Sequence, residues 1–171
     1  MFKLVLPIII ALILFGGYFA LKQTKPTYAP SSKQTASPSP KQDLKTFESK
    51  LMKFSINIPK NFSAIDEPSR ITIKTDNGQI YINRNGTQFS DLDTYLLNFD
   101  QNSNLKTSVD EKLTINSYKA RERVFQNSDV SASKEKIYFI YVENFVYKIS
   151  TSSESLYPIL DQIAQSFRYT P

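Results

Sequence analysis

The segment from Leu4 to Leu21 contains no charged side chain and is almost entirely apolar over eighteen residues. At about 1.5 Å per residue, a helix of this length spans roughly 27 Å, close to the ~30 Å hydrocarbon core of a bilayer. Pro7 lies in the first turn of such a helix, where a missing N–H group removes no hydrogen bond. The sequence therefore predicts a transmembrane anchor over residues 1–21.

A cleaved secretory signal peptide is the main alternative for this segment. Such a peptide needs small residues at the −3 and −1 positions of its cleavage site. Cleavage after Ala20 would place Tyr18 at −3, and cleavage after Gly17 would place Phe15 there. The chain has no cysteine, which excludes a lipoprotein anchor. We therefore expect an anchor that is not cleaved.

The charges on either side of the segment leave its membrane orientation open. Lys3 precedes it, whereas Lys22, Lys25 and Lys33 follow it, so the positive-inside rule alone would place the rest of the chain in the cytoplasm. However, residues 22–42 have a stalk-like composition, rich in Pro, Ser, Thr and Lys, which is commoner on exported domains. We expect a single-pass protein of the cell membrane with its globular domain outside the cytoplasm.

Residues 22–42 are predicted to form a disordered linker, because they contain four prolines and almost no branched aliphatic side chains. Residues 1–42 also carry five lysines and no acidic residue. Removing these five from the 21 basic residues of the chain leaves 16, which equals the 16 acidic residues. Residues 43–171 are therefore neutral overall and have no net field to attract a polyanion, so nucleic acid is not an expected partner.

Residues 43–171 are long enough for one domain with its own core, and alternation of apolar and polar residues dominates them. The alternation predicts strands at 51–58, 70–74, 79–83, 112–115, 118–125, 136–142 and 145–150. The last six form three hairpins, because short turn sequences separate them. These turns are Asp76-Asn77-Gly78, Asn116-Ser117 and Glu143-Asn144.

Two segments have the apolar period of a helix instead. The first covers 90–99, where Ser90 and Asp93 resemble a capping box. The second begins near Ser155 and has Pro158 in its first turn. The apolar faces comprise Leu92, Tyr95, Leu96 and Phe99 in the first helix and Leu156, Ile159, Leu160, Ile163 and Phe167 in the second.

The predicted strand at 137–142 indicates how these elements are layered. Both of its alternating sets are apolar: one consists of Ile137, Phe139 and Tyr141, and the other of Tyr138, Ile140 and Val142. A strand with one face in water would alternate, so this strand is predicted to be central and covered on both sides. The sequence thus predicts an α+β fold, an antiparallel β-sheet between helical layers.

The sequence also resembles a known family. Residues 54–62, FSINIPKNF, resemble the motif F-S-hydrophobic-x-hydrophobic-P-x-x-W/F that opens PsbP-like domains. Residues 146–150, VYKIS, and the QSFR sequence at 165–168 resemble the closing strand and helix end of the family. The resemblance covers about 44–170 and implies a PsbP-like α-β-α domain over 43–171, in a bacterial, membrane-anchored member.

The resemblance implies a fold rather than an activity. PsbP is the extrinsic subunit of the photosystem II oxygen-evolving complex, and its fold is shared with the Mog-type Ran-release factor and with many bacterial domains. The present chain departs from plant PsbP in its anchor, its linker and its lack of histidine. Metal-linked behaviour and a photosystem role are therefore not carried over.

The residue types exclude most catalytic chemistries. Without His or Cys, the chain has no Ser–His triad, no thiol nucleophile and no typical zinc site. Carboxylates are the remaining candidates, and each pair has a structural interpretation that we favour. Asp91 and Asp93 form a D-x-D sequence but fit helix capping, Asp66-Glu67 fits a solvated turn, and Asp110-Glu111 opens a hairpin strand.

Two further groups of residues are weak candidates for binding. Five tyrosines crowd the C-terminal third, and we interpret them as core residues rather than as an interface. They are Tyr138, Tyr141, Tyr147, Tyr157 and Tyr169. Lys119, Arg121 and Arg123 lie on one strand face, predicted to be solvated and balanced by acids of a neighbouring strand. The alternative for this face is a patch that contacts anionic lipid or an acidic partner.

The sequence therefore favours a non-enzymatic binding or assembly domain that is tethered to the membrane outside the cytoplasm. Its expected partners are the membrane, through the N-terminal helix, and a protein of unknown identity. We assign no catalytic, cofactor-binding or metal-binding residue and expect no cofactor. The alternative is a cell-surface hydrolase that uses a pair of carboxylates, brought together in space by the fold.

Overall fold

A computed structural model describes residues 43–103, 105–126 and 134–171. The predicted anchor at 1–21 and the predicted linker at 22–42 lie outside these residues. Among the described residues, no helix has the length and apolar character needed to cross a membrane.

The described residues form ten strands and two α-helices, in an order typical of an α+β fold. The strands are β1 (Leu44–Ser49), β2 (Phe54–Pro59), β3 (Ser63–Glu67), β4 (Arg70–Thr75), β5 (Gly78–Gly86), β6 (Lys106–Ile115), β7 (Tyr118–Gln126), β8 (Lys134–Val142), β9 (Phe145–Thr151) and β10 (Arg168–Tyr169). The helices are α1 (Leu92–Asn102) and α2 (Tyr157–Gln165), and a 3₁₀ turn at Glu154–Leu156 leads into α2.

Seven of the strands form one antiparallel sheet with the order β3-β4-β5-β9-β8-β7-β6. The three predicted hairpins are confirmed as β4-β5, β6-β7 and β8-β9. A second antiparallel sheet, β1-β2-β10, joins the two ends of the domain. The sequence did not predict this smaller sheet.

Apolar clusters cover both faces of the large sheet. On one face, Phe139 of β8 lies in a cluster with Leu92 and Leu96 of α1. On the other face, Ile140 lies in a cluster with residues of α2 and of β2, including Leu160 and Phe54. The prediction that residues 137–142 form a central strand covered on both sides is therefore confirmed.

The turn between β6 and β7 fixes the register of that hairpin. Asn116 and Ser117 have φ values of 48° and 73°, so both residues are left-handed, as a two-residue type I′ turn requires. The Asn116 side chain also donates hydrogen bonds to the carbonyls of Gln165 and Phe167, at 3.1 and 2.7 Å. The hairpin is thereby joined to the C-terminal end of α2.

Several predicted boundaries were wrong. The strand predicted at 51–58 begins at Phe54, because the chain turns before it: Lys53 has φ 58°, and the Met52 N–H donates to Ser49 Oγ. The N-cap of α1 is Asp91 rather than Ser90. Strands β1 and β3 were not predicted, and the Asp66-Glu67 pair, predicted to be a loop, ends β3.

Candidate functional site: a charged cavity at the start of α1

A cavity of about 380 Å³ lies between the first turn of α1 and the β6-β7 hairpin. Its volume falls within the range of small-ligand sites. Leu92, Leu113 and Ala120 supply its apolar lining. Its charged lining consists of Asp91, Asp93, Lys112, Lys119 and Arg121.

The hairpin register brings the charged residues of β6 and β7 together. Pairing outward from the Asn116-Ser117 turn places Lys112 opposite Arg121 and Asp110 opposite Arg123. Side chains on the same face of paired strands are close enough to interact directly. Alternation in the sequence identified Arg121 and Arg123 but not Lys112, whose place follows from the register when residues are counted back from the turn.

Helix α1 covers this face and adds two acidic residues to it. Arg121 forms ion pairs with Asp93 of α1 and with Asp110, the latter at 2.9 Å. Arg123 contacts Asp100 of α1 at 2.6 Å and Asp110 at 3.0 Å. The network therefore bridges helix and sheet through two arginines.

The predicted solvated face is wrong for both arginines. The side chains of Arg121 and Arg123 are only 11% and 6% exposed, because α1 lies over them. The predicted balance by acids of a neighbouring strand is confirmed at Asp110. The prediction that Asp110-Glu111 opens a strand is wrong, because β6 begins at Lys106 and the pair lies in its middle. Lys119 is exposed, as predicted, and forms no ion pair with any described residue.

The two acids of the D-x-D sequence have different roles. Asp91 caps α1, and its side chain accepts a 2.8 Å hydrogen bond from the Thr94 N–H, which lowers the pKa of Asp91. Hydrogen bonds from Lys112 and Arg121 lower the pKa of Asp93. The capping interpretation is thus confirmed for Asp91, whereas Asp93 belongs to the ion-pair network. No group of three or more metal-ligating residues occurs in the described parts of the chain.

The electrostatics of this cavity favour ion pairing over proton transfer. A general acid at neutral pH needs a carboxyl group with a raised pKa, and the shifts at Asp91 and Asp93 have the opposite sign. Burial lowers the pKa of Arg123, but hydrogen bonds to Asp110 and Asp100 outweigh that effect and raise it. Lys119, at the edge of the cavity, is exposed and has no ion partner among the described residues.

The five tyrosines lie elsewhere, and the core interpretation is confirmed for two of them. Tyr138 and Tyr147 are buried, and burial raises the pKa of Tyr147 to about 12. The Tyr147 hydroxyl donates to the Met52 carbonyl at 2.7 Å, and the Tyr141 hydroxyl to the Phe89 carbonyl at 2.9 Å. Their polar ends are thus used within the domain.

The structure also brings together two carboxylates that the sequence analysis did not identify. The Tyr138 hydroxyl oxygen lies 2.7 Å from a Glu122 oxygen and 2.8 Å from an Asp161 oxygen, so the two carboxylates share its single proton. Both also pair with Lys136, at 2.8 and 2.6 Å. The cluster attaches α2 to the sheet, on the face opposite α1. Because Asp161 lies 39 residues after Glu122, only the fold reveals this pair.

Comparisons with known proteins concern the fold. No protein-family model and no curated protein matches the sequence. The solution structure of cyanobacterial PsbP (CyanoP) from Synechocystis sp. PCC 6803 superposes with a TM-score of 0.54 over 79% of this chain and 98% of that chain, at 8% identity. The fold is PsbP-like.

A second solved structure is similar to this chain over part of its own length. A crystal structure from Bacteroides thetaiotaomicron VPI-5482 superposes with a TM-score of 0.50 at 13% identity. It covers 74% of this chain and 48% of its own. At such low identities the likeness describes the PsbP-like fold alone, in agreement with the fold inferred from the sequence motifs.

Proposed function

We propose that the chain is a membrane-tethered, extracytoplasmic domain of PsbP type that binds a protein partner without catalysing a reaction. The apolar segment at 1–21 and the proline-rich residues 22–42 support the tether. A tether of this kind raises the local concentration of the domain near partners at the membrane.

The observation that carries the binding proposal is the cavity at the start of α1. Its acids Asp91 and Asp93 are already engaged with the Thr94 backbone N–H and with cations, whereas Lys119 has no ion partner among the described residues. An acidic side chain of a partner would therefore complete the cavity, with Leu92 and Leu113 as apolar surroundings.

The carboxylate pair of Glu122 and Asp161 bears on the hydrolase alternative. In glycoside hydrolases, one carboxyl group donates a proton while the other acts as nucleophile or base. Here Lys136 and the Tyr138 hydroxyl occupy both carboxylates. Neither carboxylate lines the cavity at the start of α1. The arrangement supports a structural role and a binding domain.

Site-specific photo-crosslinking in intact cells tests the proposal. A benzoylphenylalanine at Thr114, directly across the hairpin from Lys119, should yield one defined crosslinked protein, identified by mass spectrometry. Adding Lys119→Glu should abolish that product, because a carboxylate repels the acidic group. Lys74→Glu is the matched control, an exposed lysine on β4, and should leave the product unchanged.

Three results would contradict the proposal. The first is a crosslinked product that persists with Lys119→Glu, and the second is the absence of any product at Thr114. The third is turnover on a panel of glycan and ester substrates that a single Glu122→Gln or Asp161→Asn change abolishes, which would establish the hydrolase alternative.

A further inference from the structure

The described residues that line a groove beside α1 are all uncharged. It consists of two adjoining depressions of about 450 and 190 Å³, which share Tyr95 and Asn98. The end of β5 and the residues after it, 86–89, line the larger depression, and the C-terminal half of α1 lines the smaller. This neutrality contrasts with the charged cavity at the start of the same helix.

Three half-buried aromatic side chains form the apolar part of the groove. Phe89 and Tyr95 meet edge to face, with ring centroids 6.4 Å apart. Phe99 packs against the buried Phe139 with centroids 5.4 Å apart. The core holds the rings of Tyr95 and Phe99, and Phe89 packs against Tyr95. The exposed parts of the three rings therefore form a surface on which a flat apolar face can pack at little entropic cost.

Neutral hydrogen-bonding groups surround the rings. The Asn102 side chain donates to the Asn98 carbonyl at 2.8 Å, which leaves its own amide oxygen available. No described residue forms a hydrogen bond with the side-chain amide of Gln88 or Asn98. The Ser103 hydroxyl is buried and has no partner within the described residues.

This combination of groups matches the chemistry of a sugar. An amide side chain donates and accepts hydrogen bonds at once, as a sugar hydroxyl does, and the C–H faces of a pyranose ring pack on aromatic rings. A phosphate or carboxylate ligand would need a cation, and no described lining residue is charged. The Lys148 ammonium lies between the Phe99 and Phe139 rings, 5.3 and 5.8 Å from their centroids, and is not a lining residue. We propose that this groove binds a neutral oligosaccharide chain.

The proposal goes beyond the protein-binding function and does not depend on it. The ligand is of a different chemical class and contacts different residues. A loss of saccharide binding therefore leaves the crosslinking result at Thr114 unaffected, and the reverse also holds.

Nuclear magnetic resonance titration of the full chain tests the proposal. The ¹⁵N-labelled protein is held in lauryldimethylamine oxide micelles, because a maltoside detergent would itself present a sugar. Chitohexaose and maltohexaose are the probes. We expect at least one of them to cause saturable shifts of the backbone amides of Gln88, Phe89 and Asn98, without shifts at Thr114.

Two alanine variants on α1 provide the matched comparison. Asn98→Ala should weaken the affinity about three- to tenfold, the effect of losing one or two hydrogen bonds. Gln101→Ala should leave it unchanged, because Gln101 is exposed on the same helix but does not line the groove. Gln88→Ala, outside the helix, should weaken binding as Asn98→Ala does, which excludes an effect on helix stability.

Three results would overturn the proposal. The first is the absence of saturable shifts with both probes at about 10 mM, because binding that weak is not specific. The second is a set of shifts that lie outside the groove. The third is equal saccharide affinity of the Asn98→Ala and Gln101→Ala variants.

Discussion

Phe139 and Lys119 lie on the neighbouring strands β8 and β7, on the face of the sheet towards α1, yet their environments are opposite. Phe139 is fully buried, and its ring centroid lies 5.4 Å from that of Phe99 and 6.4 Å from that of Phe125. Lys119 lies nearer the β6-β7 turn and is exposed. Whether α1 covers a side chain on this face therefore depends on the position of the residue along its strand.

The first prediction compares alanine substitutions at these two positions. Phe139→Ala should lower the free energy of unfolding by about 3–5 kcal/mol, because it leaves a cavity among packed rings. Lys119→Ala should change it by no more than about 0.5 kcal/mol. Denaturant titrations of the two variants measure both values. Equal losses would contradict the assignment of buried and exposed positions.

The cluster around Tyr138 gives the domain a sensitivity to high pH. Burial, and then the carboxylates of Glu122 and Asp161, raise the pKa of the Tyr138 hydroxyl above its ordinary value of 10.0. Burial lowers the pKa of Lys136, but hydrogen bonds to Asp161 and Glu122 outweigh this effect and raise it above 10.5. Both groups therefore keep their protons in the folded state to a higher pH than in the unfolded chain.

The second prediction follows from the sign of these shifts. The stabilisation is fully present below pH ~10, where both states are protonated, and is lost as the pH rises towards the folded-state pKa values. Between pH 10 and 11.5, the free energy of unfolding should therefore fall less steeply in Tyr138→Phe than in the unmodified domain. Tyr81→Phe is the control, since among the described residues the Tyr81 hydroxyl hydrogen-bonds to Gln79 and to no carboxylate. If the free energy of unfolding falls with pH at the same slope in all three proteins, the Tyr138 hydroxyl does not contribute to the pH dependence.

At the scale of elements, α1 is attached to the sheet by an apolar cluster and by the arginine network. Leu92 and Leu96 supply the buried face of the helix. Arg123 adds contacts from β7 to Asp100 in the last turns of the helix and to Asp110 on β6. One side chain thus ties together three elements.

The third prediction concerns this attachment. Arg123→Met should cost about 1–3 kcal/mol, because it removes two charge-assisted hydrogen bonds while keeping the apolar stem. Lys60→Met is the matched control, since its ion pair with Asp43 joins side chains that are 62% and 84% exposed, and it should cost at most about 0.5 kcal/mol. Similar costs in both variants would show that the network contributes no more than a surface pair.

Local sequence patterns predicted the elements that carry their own signal. The two-sided apolar strand at 137–142 and the Asn116-Ser117 turn depend on neighbouring residues only, and both are confirmed. Strands β1 and β3 are edge strands with mainly exposed side chains, so no alternation marks them. They form because they pair with β2 and β4, and this pairing is determined by the tertiary structure rather than by the local sequence.

The part of the candidate site that lies on the β6-β7 hairpin was predictable, because it depends on local alternation and on the turn. Alternation placed Lys119, Arg121 and Arg123 on one face, and the hairpin register adds Asp110 and Lys112. No local pattern indicates which face of the sheet a helix will cover, so the burial of the arginines and their contacts to α1 were missed. The same limit applies to Glu122 and Asp161, which meet only when α2 packs on the sheet.

At the scale of the molecule, residues 43–171 carry equal numbers of basic and acidic side chains and contain both apolar clusters. The fourth prediction is that a fragment beginning at Asp43 is a soluble monomer that unfolds in one cooperative transition. Analytical ultracentrifugation and thermal denaturation test this. Aggregation, or heating without a transition, would mean that the domain requires residues before Asp43.

The membrane topology is the remaining question at this scale, and the flanking charges and the linker composition give opposite expectations. The fifth prediction is that the domain lies outside the cytoplasm. Ser37→Cys introduces the only thiol of the chain, within the proposed linker. A membrane-impermeant maleimide should then label the protein in intact cells as completely as after lysis. Labelling only after lysis would place residue 37 inside, as the lysines that follow the apolar segment suggest, and a partner would then have to be sought in the cytoplasm.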